Sequence, residues 1–380
     1  MPVPPRLTAR QLNRATLARQ MLLRRERVGV VEAVERVMAL QAQEPASPYL
    51  ALWNRIEAFD PAELDRAFAE HAIVKASMMR ITLHAVAATD YPPFHAAVTR
   101  TLRAARYYDD RFRQTGLTAA DADALMPEVM TFAASPRTNA EADAWFEERL
   151  GQLPKPGAWW AFRQAGPFWH APAGAPWSFG PRPSYVAARE PSTGLDANAS
   201  MRHLVLRFVA AFGPASVKDI AQFSTIYMPP VREAVAALGD ALVRHEGPDG
   251  EELLDVPDGP HPPEDSPVPP RLLAMWDSAL FASDKRIRLI PPEYRTFVIR
   301  TNGDTLPTLL VDGYVAGVWR PVDGGIEATA FHRLSDDAWA GLEAEARALI
   351  AFLADRDPTV YRRYGRWWDK LPAVEVRVLG

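Results

Sequence analysis

The sequence predicts an α+β fold: three tandem winged-helix modules followed by a small C-terminal β-barrel. Three observations lead there. The chain has 380 residues, about half of them hydrophobic, which is too many for one compact core and enough for several. Stretches of helical periodicity closed by a short run of strand-like sequence recur along its first two thirds. Residues 257–270, PDGPHPPEDSPVPP, then place seven prolines in fourteen positions, a stiff linker beyond which the pattern turns to strands.

The first module covers residues 1–115. Leu12, Ala15, Ala18, Met21 and Leu22 recur at helical spacing, with Thr8 as N-cap. GVVEAVERVMAL, residues 29–40, reads as a second helix that stops at Gln41, Gln43 and Pro45. Ser47-Pro48 and Asp60-Pro61 each start another, with proline in the first turn. IVKASMM and TLHAVAA, residues 73–79 and 82–88, read as two strands joined at Arg80-Ile81. Asp90 opens a long helix with Arg100, Arg103 and Arg106 along one side.

The second module, 116–196, is expected to be helical behind the caps Thr118 and Thr138, with SYVAARE as a closing strand. The third, 197–258, has the clearest signature. A helix ends at Gly213, SVKDIAQFS is a short helix, MPPVREAVAAL is a third, and ALVRHEGPDGEELLDV is a hairpin turning at Pro248-Asp249-Gly250. Glu233, Asp240, Glu246, Glu251 and Glu252 make it acidic, better suited to scaffold than to reading DNA. After the linker (259–270), RIRLI, TFVIR, TLLVDGYVAGVW and GIEATAF suggest a small barrel or sandwich with hairpin turns at Asp312-Gly313 and Asp323-Gly324-Gly325. Ser335 caps a closing helix that ends the barrel unit, 271–356, and leaves 357–380 as a tail whose Trp367 and Trp368 are expected to dock on the barrel.

Composition excludes several chemistries. There is no cysteine, hence no disulfide, thiolate metal site or cysteine nucleophile. No His spacing, Walker loop, GxGxxG or GxSxG is present, so no metal or nucleotide cofactor is expected. MPVPPRLTAR lacks an apolar signal core and no run is long enough for a membrane span; the expectation is a soluble cytoplasmic monomer. The net charge is −4, yet seven arginines and one acid fall in the first 27 residues. A basic end on an acidic chain fits a local polyanion site; a solvated arginine face is the plainer alternative.

Two clusters remain. Gln41-Ala42-Gln43 offers paired amides, each both acceptor and donor, but the pair is weak evidence alone. On an uninterrupted strand Arg80, Thr82 and His84 share one face, a row able to meet a phosphate or sugar, or simply an ordinary polar strand face.

Taken together, LQAQEPASPYLALWNRI, MMRITLHAV, LLVDGYVAGVW and the terminal acidic helix resemble the AlkZ/YcaQ family of winged-helix DNA glycosylases, in the same order over roughly residues 7–356. The resemblance implies a C-shaped clamp of tandem winged helices and a barrel. It implies excision of N7-alkylated guanines from double-stranded DNA, in some members unhooking of interstrand crosslinks, in repair or self-resistance. Gln41-Ala42-Gln43 matches the Gln–apolar–Gln form of the family motif, with Ala42 smaller than the usual central residue. Gln41 and Gln43 are then the catalytic pair that positions a water. Arg80, Thr82 and His84, with Arg10, Arg14, Arg100, Arg103 and Arg106, are candidate contacts to DNA or lesion. The competing reading is a non-catalytic winged-helix DNA-binding protein, a regulator or a reader of DNA structure.

Overall fold

A computed structural model describes residues 6–151, 157–174, 176–190, 192 and 194–380. The N-terminal stretch read above for a signal core lies partly outside them, at residues 1–5. Among the described residues no helix is long and apolar enough to cross a membrane.

The first helix, α1 (Ala9–Arg19), starts from Thr8, whose side chain caps Gln11 N while Gln11 returns the bond. α2 spans Val30–Arg36, β1 Leu40–Gln41, α3 Ser47–Trp53 and α4 Pro61–Ala69. β2 (Ile73–Ser77) and β3 (Leu83–Ala87) form the expected hairpin, and β1 adds on the far side of β3, giving the order β1-β3-β2. The helix expected over residues 29–40 therefore stops early. Buried Met38 takes a left-handed φ of 70°, which ends helical progression, and Leu40 and Gln41 pair with Ala85 and His84. The glutamine pair sits at a strand end, not at a helix end.

α5 (Tyr91–Tyr107) leads through α6 (Asp110–Arg113) into the second unit. There α7 (Ala119–Phe132) and α8 (Asn139–Leu150) both start from threonine capping boxes. β4 (Arg137–Thr138), α9 (Gly157–Ala165), β5 (Phe168–Ala171) and β6 (Ser184–Ala187) complete it, with sheet order β4-β6-β5. The third unit follows the order read from the sequence: α10 (Ala197–Phe212), α11 (Val217–Ser224), α12 (Met228–Leu238), then the hairpin β7 (Val243–Glu246) and β8 (Glu252–Asp255).

The C-terminal unit departs most from expectation. β9 (Arg271–Leu273), β10 (Thr308–Val311), β11 (Tyr314–Val322), β12 (Gly325–Ala330) and β13 (Glu375–Leu379) form an antiparallel sheet of order β13-β12-β11-β10-β9. The sheet is open among the described residues, not a barrel. α14 (Asp336–Ala354), capped by Ser335, packs across β9, β12 and β13, so the face is covered by a helix instead of being closed on itself. RIRLI and TFVIR are not strands: Arg286 and Arg288 turn into the interior, Pro291 and Pro292 interrupt pairing, and α13 (Arg295–Val298) takes the second segment. The two glycine hairpins do form, with Asp312, Gly313 and Gly324 at φ of 47°, 82° and 86°.

Two further expectations change. The tail is not separate, since its last residues are the edge strand β13. And α1 packs on α10 and the C-terminal turn: Arg19 binds Asp255, Thr16 and Gln20 donate to the carbonyls of Phe212 and Ala211, and Asn13 donates to those of Arg288 and Gly313. One apolar core runs from the first unit through the third to the C-terminal sheet, while Tyr107 to Tyr185 of the second unit build their own.

Candidate active site

The β2–β3 turn creates the site. Arg80 and Ile81 both take left-handed φ, 55° and 57°, an unusual state for a β-branched residue. The turn breaks the alternation on which a shared Arg80–Thr82–His84 face depended. Thr82 and Ile81 line a cleft of about 570 Å³ with Gln41, Gln43, Ser77 and Leu83. Arg80 instead runs beneath a neighbouring groove, between the rings of Phe223 and Phe281. His84 is fully buried and touches Arg80 Nη2 through Nε2 at 3.0 Å. Burial, then the charge of Arg80, holds its pKa well below the usual histidine value, so it is neutral at pH 7.

The glutamines are unequal. Gln41 is buried at 4 % exposure and Gln43 is exposed. The backbone N–H of Gln43 donates to Gln41 Oε1 at 2.9 Å, which fixes the orientation of the Gln41 amide, because only its oxygen can accept. The segment is held from both sides. Ala42 N donates to Leu83 O at 2.8 Å. Glu44 is ion-paired with Arg363 and accepts from the Tyr364 hydroxyl at 3.0 Å, and Ser47 Oγ meets the Tyr361 hydroxyl at 2.9 Å. The tail thus buttresses the glutamines, which no local sequence signal announces.

The other walls come from residues far away in sequence. Arg106, Arg163, Gln164, His170 and Tyr185 line the cleft from α5 and the second unit, and Trp276 with Asn302 to Asp304 from the C-terminal unit. Arg106 Nε donates to Gln164 Oε1 at 2.8 Å, Arg163 Nη1 to the Tyr185 hydroxyl at 2.6 Å, and Trp276 Nε1 to Gly303 O at 2.9 Å. Burial and the charges of Lys75 and Arg163 push His170 well below its usual pKa. Asp304, held by Asn302, brings a carboxylate that motif reading had no means of finding, since it lies 261 positions beyond Gln43.

Of the eight sequence candidates for DNA contact, the cleft gathers Thr82 and Arg106. Arg14 is withdrawn: its side chain is fully buried and spent on Asp312 Oδ1 (2.5 Å) and Ser266 O (3.0 Å). Arg10 is paired with Asp312 at 2.8 Å and Arg103 with Asp123 at 2.5 and 2.8 Å, so neither guanidinium is free. Arg100 is exposed on the neighbouring groove. A metal does not fit the one His/Asp group of suitable spacing among the described residues, His245, Asp255 and His261. Both oxygens of Asp255 accept from Arg19 at 2.9 Å, so the cation's place is taken by a guanidinium.

The comparisons with known proteins define the class first. The sequence model of the family described as "DNA glycosylase AlkZ-like" matches residues 34–352, which puts the chain among the DNA glycosylases, enzymes that hydrolyse N-glycosyl bonds. Within that class it belongs to the AlkZ-like family. It is 26 % identical over 353 residues to the interstrand DNA cross-link repair glycosylase of Streptomyces sahachiroi, covering 85 % of this chain and 90 % of that one. Its fold is similar to the solved structure of Streptomyces sahachiroi DNA glycosylase AlkZ, with a TM-score of 0.77 at 21 % identity, over 93 % of this chain and 99 % of that one.

Proposed function

We propose that this chain is a monofunctional glycosylase for cationic N7-alkylated purines in double-stranded DNA and that its open cleft also admits crosslinked bases. Alkylation at N7 puts a positive charge on the purine, so the base leaves without being protonated. The enzyme then has to hold a water at C1′ and tolerate an oxocarbenium-like centre. The observation that carries this reading is the Gln41–Gln43 bond. With Gln41 Oε1 fixed on the backbone of Gln43, the Gln43 amide stands exposed and the Gln41 NH₂ keeps both protons for a water or a sugar oxygen. Asp304 on another wall supplies the negative charge that two neutral amides lack. Neither amide is a base near neutral pH, so neutral bases should resist. A crosslinked base stays tied to the opposite strand, and a cleft walled by three separate parts of the chain accommodates it better than a snug flipping pocket. Tandem winged-helix units in a clamp, acting as a monomer on nucleoid DNA, belong to the same reading.

The test is direct. Duplexes carrying N7-methylguanine or a nitrogen-mustard crosslink are incubated with excess enzyme and heated in alkali to cut abasic sites. Strand scission above the spontaneous rate is expected, with loss in Gln41→Ala and Gln43→Ala. Scission no faster than in buffer would reject the proposal, and full activity in both variants would reject the site.

A further inference from the structure

Beside the excision cleft lies a larger groove of about 1280 Å³, between α5 and the start of α10 on one side and α11 and α12 on the other. Its floor carries two guanidiniums, Arg80 and Arg286, that form no ion pair among the described residues. Arg80 has Phe223 and Phe281 against its guanidinium, both at 4.6 Å, and its Nη1 is sealed from solvent without a partner. Its one side-chain bond goes to His84, which is neutral, and no carboxylate pairs with it among the described residues. Arg286 sits on the same Phe281 ring at 4.8 Å and donates only to the carbonyls of Phe281 and Ser283. Asp284 and Asp219 act on Arg286 from a distance without bonding it; Asp284 is paired with Lys218 and Asp219 accepts from Ser216. Arg100 and Arg202 line the groove with no ion pair among the described residues, and Glu233 is its one lining carboxylate. Two buried guanidiniums without a direct ion pair are costly in an empty protein and favourable beneath a bound anion.

The groove also shares a residue with the cleft. Ile81 lines both, and it is the second of the two left-handed residues. The turn therefore sends Arg80 under the groove and Thr82 into the cleft, with Ile81 as the ridge between them.

We propose that the groove seats the sugar-phosphate backbone next to the excised nucleotide. Arg100 and Arg202 contact successive phosphates, Arg80 and Arg286 supply the field from below, and Ile81 stands between the held phosphate and the glycosidic bond. Tyr227, 81 % exposed where α12 begins, offers a ring at the groove's edge on which a sugar or base packs. The proposal rests on the excision reading only for the position of the bond to be cut.

The test measures binding of the full-length protein to an undamaged duplex across a salt series. Each phosphate contact contributes about −0.9 to the slope of log K against log salt, so R100Q/R202Q should flatten the slope by about 2 and weaken binding roughly tenfold or more at low salt. Arg286→Gln should weaken binding with a smaller change of slope. Thermal melts check folding, and the rim double variant, made at surface positions, carries the test if Arg286→Gln melts early. Wild-type affinity and slope in R100Q/R202Q would overturn the proposal. So would protection of the protein by inorganic phosphate with no change in duplex binding, since the groove would then serve a small anion. If the wild type binds duplex through this groove yet cuts no lesion, the excision reading falls and this one stands. If Gln43→Ala abolishes excision while R100Q/R202Q binds normally, the reverse holds.

Discussion

Gln41 and Gln43 are held differently although they belong to one motif. Gln41 is buried and spends one lone pair on the Gln43 backbone; Gln43 faces the cleft. On the proposed reading, replacing Gln41 removes both the water-holding amide and the bond that shapes its partner, so Gln41→Ala should cost more than Gln43→Ala. Loss of positioning gives roughly 10²-fold in single-turnover excision of N7-methylguanine for Gln41→Ala, and Asp304→Asn should cost about tenfold or more if it stabilises the cation. Equal rates for Gln41→Ala and wild type would remove the asymmetry. A second residue invites a stability test. Lys75 is 4 % exposed on β2, its Nζ lies 4.5 Å from the centre of the Phe179 ring, and burial lowers its pKa to about 7. Below pH 10.5 the unfolded chain keeps this proton more readily than the folded one, so the fold gains stability as pH rises from 7 to 10.5. Lys75→Met keeps the volume and removes the charge. It should raise unfolding stability by about 2 kcal/mol at pH 7, read from urea midpoints at unchanged slope. A lower midpoint would show that the amine has a partner the fold needs.

At the scale of elements, the tail is where function and fold meet unexpectedly. Tyr361, Arg363 and Tyr364 fasten the chain just past the glutamines through Ser47 and Glu44. Arg363→Ala combined with Tyr364→Phe should free Glu44 and slow excision several-fold to tenfold while duplex affinity stays at the wild-type value. Weakened binding with unchanged excision at saturation would place the tail on DNA instead. These elements also mark what was legible in the sequence. Capping boxes at Thr8, Thr118 and Thr138 and the Asp312-Gly313 turn were readable because a cap or a tight turn is decided within four residues. So was the helix–helix–helix–hairpin order of residues 197–255. The strand at Leu40-Gln41 was not, because its pairing partner β3 lies more than forty residues away. RIRLI looked like a strand because polar and apolar residues alternate over its first three positions, but Ile287 is exposed while Arg286 and Arg288 are buried with Leu289 and Ile290, the arginines bound to backbone carbonyls. In the site, the motif found two glutamines, while Arg163, His170, Trp276 and Asp304 reach it only through tertiary packing.

At the scale of the whole molecule, the second unit has its own core and meets the rest of the protein around two buried histidines, His84 and His95, and the half-buried His170. His84 lies beneath the cleft, His170 in its wall, and His95 on α5 holds Ser192 beyond the second sheet with Nδ1 at 2.6 Å. Burial keeps all three below the ordinary histidine pKa, His95 at about 4. The sign follows from which state takes the proton. Between pH 6.5 and the folded value the unfolded chain binds it and the folded chain does not, so stability is complete above 6.5 and is lost as pH falls. For His95, held at about 4, this amounts to about 1.4 kcal/mol per pH unit, or roughly 2 kcal/mol between pH 6.5 and 5, and burial of His84 and His170 acts in the same direction. Against the ~5–15 kcal/mol that holds a domain folded, a loss of this size is measurable. The protein should therefore melt at a distinctly lower temperature at pH 5 than at pH 7, with the decline beginning near pH 6.5. Hydrogen exchange should show the contacts of β5 with β2 opening first, because His170 and Lys75 would then both be charged across them. A melting temperature that is flat from pH 7 to 5 would mean that the histidines find proton acceptors as the units part, and that the junction is looser in solution than its packing implies.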